Sequence, residues 1–102
     1  MRKFELVLMD EAESDLDEAF IWYELQKPGL GIEFITDVEK VFLFIIKNPM
    51  ASEKLYQKRH RQVVKRFPYS IYYRINDDLL QLQVIGILHH KRNPKTLKDR
   101  LI

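Results

Sequence analysis

The chain has 102 residues, 46% hydrophobic and 31% charged, with a formal net charge of +2, the profile of one soluble globular domain covering residues 1–102. It has no cysteine, which excludes disulfides, thiolate zinc sites and cysteine nucleophiles. No apolar run approaches the ~20 residues of a membrane span, and none follows the opening Met1-Arg2-Lys3-Phe4-Glu5, so a cytoplasmic protein without a signal peptide is expected.

Lys3 to Met9 alternates, with Phe4, Leu6 and Leu8 on one side and Glu5 and Val7 on the other. That pattern predicts a strand with one buried face. Asp10 is placed to cap a helix, and Glu13 three residues on completes a capping-box-like pair. Ala12, Leu16, Ala19, Phe20 and Tyr23 then recur at helical spacing. Lys27-Pro28-Gly29-Leu30-Gly31 ends this helix and opens another. The second carries Phe34, Val38, Val41, Phe42 and Ile45 on one stripe, widened by Leu43, Phe44 and Ile46, and stops at Asn48-Pro49. The short connection predicts an antiparallel helical hairpin.

Met50 to Lys58 reads as a polar connection. Three strand-like runs follow, Arg59 to Phe67, Tyr69 to Asn76 and Leu79 to Leu88, with Asp77-Asp78 as a turn. Gln81 and Gln83 alternate with Leu80, Leu82 and Val84, which predicts one wet sheet face. The tail from Asn93 to Arg100 is read as a short helical turn or an extended segment. The order predicts a two-layer α+β domain: N-terminal strand, helical hairpin, then a three-strand antiparallel meander in the same sheet.

Charge is divided along the chain. Residues 1–51 hold 5 Lys/Arg against 11 Asp/Glu, and residues 52–102 hold 12 against 4. A basic half of this kind favours anionic partners. Its centre is Lys58-Arg59-His60-Arg61-Gln62-Val63-Val64-Lys65-Arg66, where strand parity groups Arg59, Arg61, Val63 and Lys65 on one side. Such a run either blocks edge pairing or meets phosphates or an acidic peptide. Arg74 sits in an aromatic strand, so it needs either a carboxylate partner or an oxyanion to bind. His89-His90-Lys91-Arg92 combines proton-transfer groups with cations, the ingredients of RNA cleavage. The adjacent histidines lack metal-ligand spacing, and no glycine loop of phosphate-binding type occurs among three glycines. No cofactor or metal is expected.

Four segments, taken in order, resemble the RelE/ParE toxin superfamily. They are Glu11-Ala12 through Asp15-Leu16, Trp22-Tyr23-Glu24-Leu25-Gln26-Lys27-Pro28-Gly29-Leu30-Gly31-Ile32-Glu33-Phe34, Phe67-Pro68-Tyr69-Ser70-Ile71-Tyr72-Tyr73-Arg74, and His89-His90-Lys91-Arg92-Asn93-Pro94. The resemblance implies a toxin of a type II toxin–antitoxin pair, of the kind once called plasmid stabilisation proteins. It also implies a cognate antitoxin whose C-terminal segment wraps the toxin, with Leu43, Phe44 and Ile46 as candidate contacts. RelE-like members cleave mRNA on the ribosome. That branch would assign phosphates to Arg61, Lys65, Arg74 and Arg92 and proton transfer to His89 or His90. ParE-like members poison DNA gyrase without such chemistry. The last tyrosine here is Tyr73, and Leu97 stands where an aromatic residue is common, so the chain resembles ParE-like members more. Arg59, Arg61, Lys65, Arg66, Lys91 and Arg92 are then the expected target-binding residues.

Overall fold

The computed structural model describes residues 3–55, 57–92 and 94–101. The alternating N-terminal segment forms β1 (Glu5–Leu8), followed by α1 (Asp10–Gln26) and α2 (Leu30–Lys47). The chain continues through β2 (Glu53–Lys54), β3 (Arg59–Val63), β4 (Tyr69–Asn76), β5 (Gln81–His89) and α3 (Pro94–Leu101). The five strands form one sheet in the order β1-β5-β4-β3-β2. Strand β1 runs parallel to β5, and the other pairings are antiparallel. The α+β architecture expected from the sequence is the one observed, with five strands where the reading had four. The strand it missed, β2, has only two residues, too few for a period to show.

The helical hairpin covers one sheet face. Ala12, Ala19 and Tyr23 of α1 and Phe34, Val38, Val41 and Ile45 of α2 pack on Val64, Ile71, Tyr73, Ile75, Leu82, Val84 and Ile87. Each set follows the period of its element, 3.6 for the helices and 2 for the strands. Tyr23, Phe34, Phe67 and Tyr69 form an aromatic cluster with ring centroids 5.0–6.1 Å apart.

The start of α1 differs from expectation, while α2 opens within the expected Lys27-Pro28-Gly29-Leu30-Gly31 segment. Helix α1 begins at Asp10 itself; Met9 occupies the cap position and gives no side-chain hydrogen bond. Asp10, Glu11 and Glu13 instead lie in the first turn, where the helix dipole favours anions. At α2 the cap is Gly29, with φ of 90°, a conformation glycine adopts without Cβ strain. Its missing capping side chain is supplied from α1. Oε1 of Glu24 accepts the N–H groups of Gly29 (2.9 Å) and Gly31 (2.8 Å), satisfying two donors at the helix N-terminal end.

Three further corrections concern the second half. Strand β3 ends at Val63, so Lys65 and Arg66 leave the sheet in a turn where Arg66 has φ of 69°. Leu79 and Leu80 belong to the β4–β5 turn and are exposed; the strand starts at Gln81. Gln83 is buried at 5% exposure, so the second sheet face is not simply wet. The tail is an eight-residue helix. On that second face Tyr72, Ile85 and Leu88 form a small core with Met9, Leu55 and Leu97 of α3.

Candidate functional site

The outer sheet face carries the cations of β3 and β4. Arg59 is the register partner of Arg74, and Arg61 of Tyr72. Arg61 donates to Glu53 through Nε (2.7 Å), and bonds to the Tyr72 hydroxyl and to Glu53 hold its guanidinium more firmly protonated. Arg74 has no carboxylate partner among the described residues. Its Nε donates to Oε1 of Gln83 (2.6 Å), whose Nε2 donates to Oε1 of Gln81 (2.8 Å). Arg59 donates to the carbonyl of Gln57 (3.0 Å), and its buried Nε has no partner among the described residues. The two residues thus stand opposite each other on neighbouring strands, with Arg59 bonded toward Gln57 and Arg74 toward Gln83. Like charges in that position repel, and both present the donor fork that fits an oxyanion.

Arg66 does different work. It donates to both carboxylate oxygens of Asp37 on α2 (2.9 and 3.0 Å) and reaches Glu33 at 3.4 Å. The hydrogen bond from Arg66 holds the Asp37 carboxyl below its usual range, against the opposing effect of burial. Arg66, expected to meet a target, is therefore engaged in tying the β3–β4 turn to α2. Lys65 lines a groove of about 630 Å³ between α2 and β3, with Val41, Phe44 and Val63.

At the far end of the sheet, His89 pairs in register with Tyr69. A groove of about 470 Å³ opens there, walled by Glu18, Ala19 and Trp22 of α1 and by Pro68, Tyr69, His89 and Arg92. Nδ1 of His89 accepts the N–H of Lys91 (2.9 Å), so the ring proton sits on Nε2. Lys91 and Arg92 are exposed beside it. His90 is turned elsewhere, its Nε2 in a hydrogen bond with the Ser70 hydroxyl (2.9 Å). Burial raises the Tyr69 hydroxyl pKa; Arg92 opposes the rise, and Asp15 and Glu18 add to it.

These placements split the candidate catalytic set. Tyr69 faces the helices with Ile71, Tyr73 and Ile75, and Arg74, an odd number of residues along the same strand, faces the other way. Five residues of strand separate Tyr69 and its partner His89 from Arg74, roughly 16 Å. His89 and Arg74 therefore do not share a site. Trp22, Glu18 and Tyr69 do share one with His89 and Arg92, and the reading of single residues missed them. The available signal was the spacing of Asp15, Glu18, Ala19 and Trp22, which is one helix face.

A second missed feature is the pairing of Asp15 with Arg100. Asp15 is buried at 5% exposure. It accepts Nη1 (2.7 Å) and Nη2 (3.0 Å) of Arg100 and the N–H of Ile87 (3.0 Å). Arg100 also donates to the Ile85 carbonyl (3.1 Å) and pairs with Glu11 through Nε (2.6 Å). Ile85 is the extra residue of a bulge, since Tyr72 pairs with Gly86 and Tyr73 with Val84. A Cβ on Gly86 would meet Nη1 of Arg100 at 3.2 Å, so glycine leaves room for the guanidinium.

The apolar candidates on α2 point two ways. Phe44 lines the groove toward β3. Leu43 and Ile46 line a shallower depression of about 340 Å³ with Leu6 and Phe42, toward β1. All three are exposed, Leu43 to 60%. Among the described residues no helix is long and apolar enough to cross a membrane, and no cluster of three or more metal-ligating side chains occurs.

Comparison with curated proteins gives no match. Solved structures do match. A chain of the chromosomal ParDE toxin–antitoxin system from P. aeruginosa superposes with a TM-score of 0.74 at 17% identity, over 87% of this chain and 98% of that one. The isolated RelE toxin of E. coli gives 0.66 at 13% identity, over 98% and 99%. A chain of the RelBE2 toxin–antitoxin complex from Mycobacterium tuberculosis gives 0.59 at 18% identity, over 85% and 98%. These likenesses concern the fold. Residues 6–94 match the family model described as the ParE toxin of the type II toxin–antitoxin system parDE, and the chain belongs to that family.

Proposed function

We propose that this toxin is neutralised by a cognate antitoxin and acts by binding DNA gyrase in the cytoplasm, without breaking bonds itself. The observation that carries this reading is the separation of Arg74 from His89 on opposite sheet faces. RNA cleavage needs proton transfer and charge stabilisation at one phosphate, and Arg74 does not join His89 and Arg92 at one. The antitoxin part draws support from the similar structures, two of which come from toxin–antitoxin systems or complexes.

The target is tested with purified protein in a supercoiling assay. Inhibition of gyrase, or accumulation of cleaved DNA complexes, is the expected result. Undisturbed gyrase beside cleaved ribosome-bound mRNA would overturn it. A ribonuclease reading keeps one specific support, the Arg59–Arg74 pair, which has no carboxylate partner among the described residues. It predicts that Arg74→Ala combined with His89→Ala abolishes growth arrest while the fold is retained. A degenerate toxin that only binds predicts unchanged growth on induction without antitoxin.

The antitoxin surface has its own test. Leu43 is exposed, so Leu43→Gln should change stability by no more than about 0.5 kcal/mol. Its affinity for the antitoxin, measured by calorimetry, should fall. Unchanged affinity would place the antitoxin away from the outward side of α2.

A further inference from the structure

We propose that the groove between α1 and the end of β5 is a nucleotide site, with the base against Trp22 and Tyr69, the phosphate on Arg92 and His89, and Glu18 reading a guanine edge. The inference goes beyond the toxin's choice of gyrase or ribosome and does not depend on it.

Three separate parts of the chain build this groove: one face of α1, the Pro68-Tyr69 turn, and the segment that follows β5. Its volume of about 470 Å³ falls in the range of small-ligand sites. Trp22 remains 55% exposed although it stands beside the aromatic cluster. A flat, half-exposed indole across from a tyrosine is a stacking surface.

The charges define what fits. Glu18 and Arg92 line the same groove, yet among the described residues neither side chain forms an ion pair or hydrogen bond. The neighbouring acid, Asp15, is already occupied by Arg100 and the Ile87 N–H. A ligand that meets both side chains and the Trp22 ring therefore carries an anion for Arg92, N–H donors for Glu18 and a flat apolar body. A nucleotide has that layout.

The anion end is specific in kind. Arg92 has only donors, and the Lys91 N–H at Nδ1 leaves Nε2–H as the His89 donor. Donors without acceptors fit a phosphate. At the other end a carboxylate accepts two adjacent donors, and guanine offers N1–H beside its 2-amino group. Adenine turns the N1 lone pair toward the same position, an acceptor against an acceptor.

Trp22 is the one tryptophan of the chain, so its fluorescence reports on this groove alone. The intact purified protein is titrated with GMP, AMP, CMP and UMP. Saturable quenching by GMP is expected, with AMP about tenfold weaker, the size of one good polar contact. Glu18→Gln should erase the preference for GMP over AMP. Arg92→Ala should weaken every nucleotide about tenfold, and guanosine should bind the wild type no better than GMP binds this variant. Both altered residues are exposed, and thermal unfolding checks that the variants fold. A single-stranded oligonucleotide with one guanine separates the two sources: tighter binding than GMP means a residue in a strand, equal or weaker binding means a free nucleotide. No saturable quenching by any nucleotide would overturn the proposal. So would quenching indifferent to both substitutions, or quenching by an acidic peptide but not by GMP.

Discussion

At the scale of single residues, two positions show how tightly local chemistry is bound to distant structure. Gly31 opens α2 where the helices touch. An added Cβ would lie 2.7 Å from the Phe20 carbonyl oxygen and 2.6 Å from Cγ of Glu24. The side chain could swing away, but the carbonyl belongs to helix backbone and is fixed. Gly31→Ala should therefore destabilise by about 1–3 kcal/mol, the usual cost of overpacking, read as a lower urea midpoint with an unchanged slope. Asp37 is the second case. Its carboxyl is held below the usual range chiefly by the Arg66 hydrogen bond. A depressed folded-state pKa contributes stability above the unfolded value near 4 and loses it as pH falls through the folded value. The thermal midpoints of wild type and Asp37→Asn should thus differ at neutral pH and draw together as pH falls below about 4. A difference that persists in acid would mean that the Asp37 charge contributes nothing. Arg66 is 58% exposed, so the effect should be modest.

At the scale of elements, α3 is held by one side chain more than by its own apolar surface. Leu97 joins the outer cluster, while Arg100 reaches through the sheet bulge to Asp15 and the Ile85 carbonyl. The Asp15 hydrogen bond is also the main reason the Arg100 guanidinium is held more firmly protonated. Removing one member of an enclosed pair costs about 3–5 kcal/mol; Glu11 still meets Nε of Arg100, so the lower end of that range applies here. Asp15→Ala should therefore lower unfolding free energy by about that amount. Before global unfolding, amide exchange should rise throughout α3 and at Ile87. Protected α3 amides in that variant would show that Leu97 alone secures the helix.

At the scale of the whole molecule, β5 is the organising strand. It is flanked by β1 on one side and β4 on the other, and residues Leu82 to Leu88 are all buried. Strand β2 pairs through two residues only, at Glu53 and Lys54, leaving the outer edge of β3 without a strand partner past Arg61 among the described residues. Hydrogen exchange should follow this gradient. The β5 amides should exchange only on global unfolding, and β2 with the outer edge of β3 should exchange earliest. Early exchange of β5 would mean that the sheet opens from its centre. The division of charge along the sequence also looks different at this scale. Arg66 and Arg100 from the basic half neutralise Asp37, Glu33, Asp15 and Glu11 from the acidic half. Arg61 and Lys58 pair with Glu53 and Asp77. Among the described residues the cations of the basic half left without an ion pair are therefore Arg59 and Arg74, half-buried side by side on the outer sheet face, and the exposed Lys54, Lys65, Lys91, Arg92 and Lys98.

Periods of 2 and 3.6, together with Pro28-Gly29, Asn48-Pro49 and Asp77-Asp78, were enough to order the elements, because each of these signals acts over a few residues of chain. The four motif segments named the family for the same reason: each is a short run read in place. The ends of β3 and β5 were misplaced because the breaks at Arg66 and Leu80 are backbone conformations with positive φ, adopted there by residues that do not announce them. The division of the cations into paired and free was decided only by tertiary structure. Asp15 and Arg100 stand 85 residues apart, and Asp37 and Arg66 stand 29 apart. No local pattern relates such residues; the packing of α1, α2 and α3 on one sheet brings them within hydrogen-bond distance. The same packing puts His89 and Arg74 on opposite faces and gathers Glu18, Trp22, Tyr69, His89 and Arg92 around one groove.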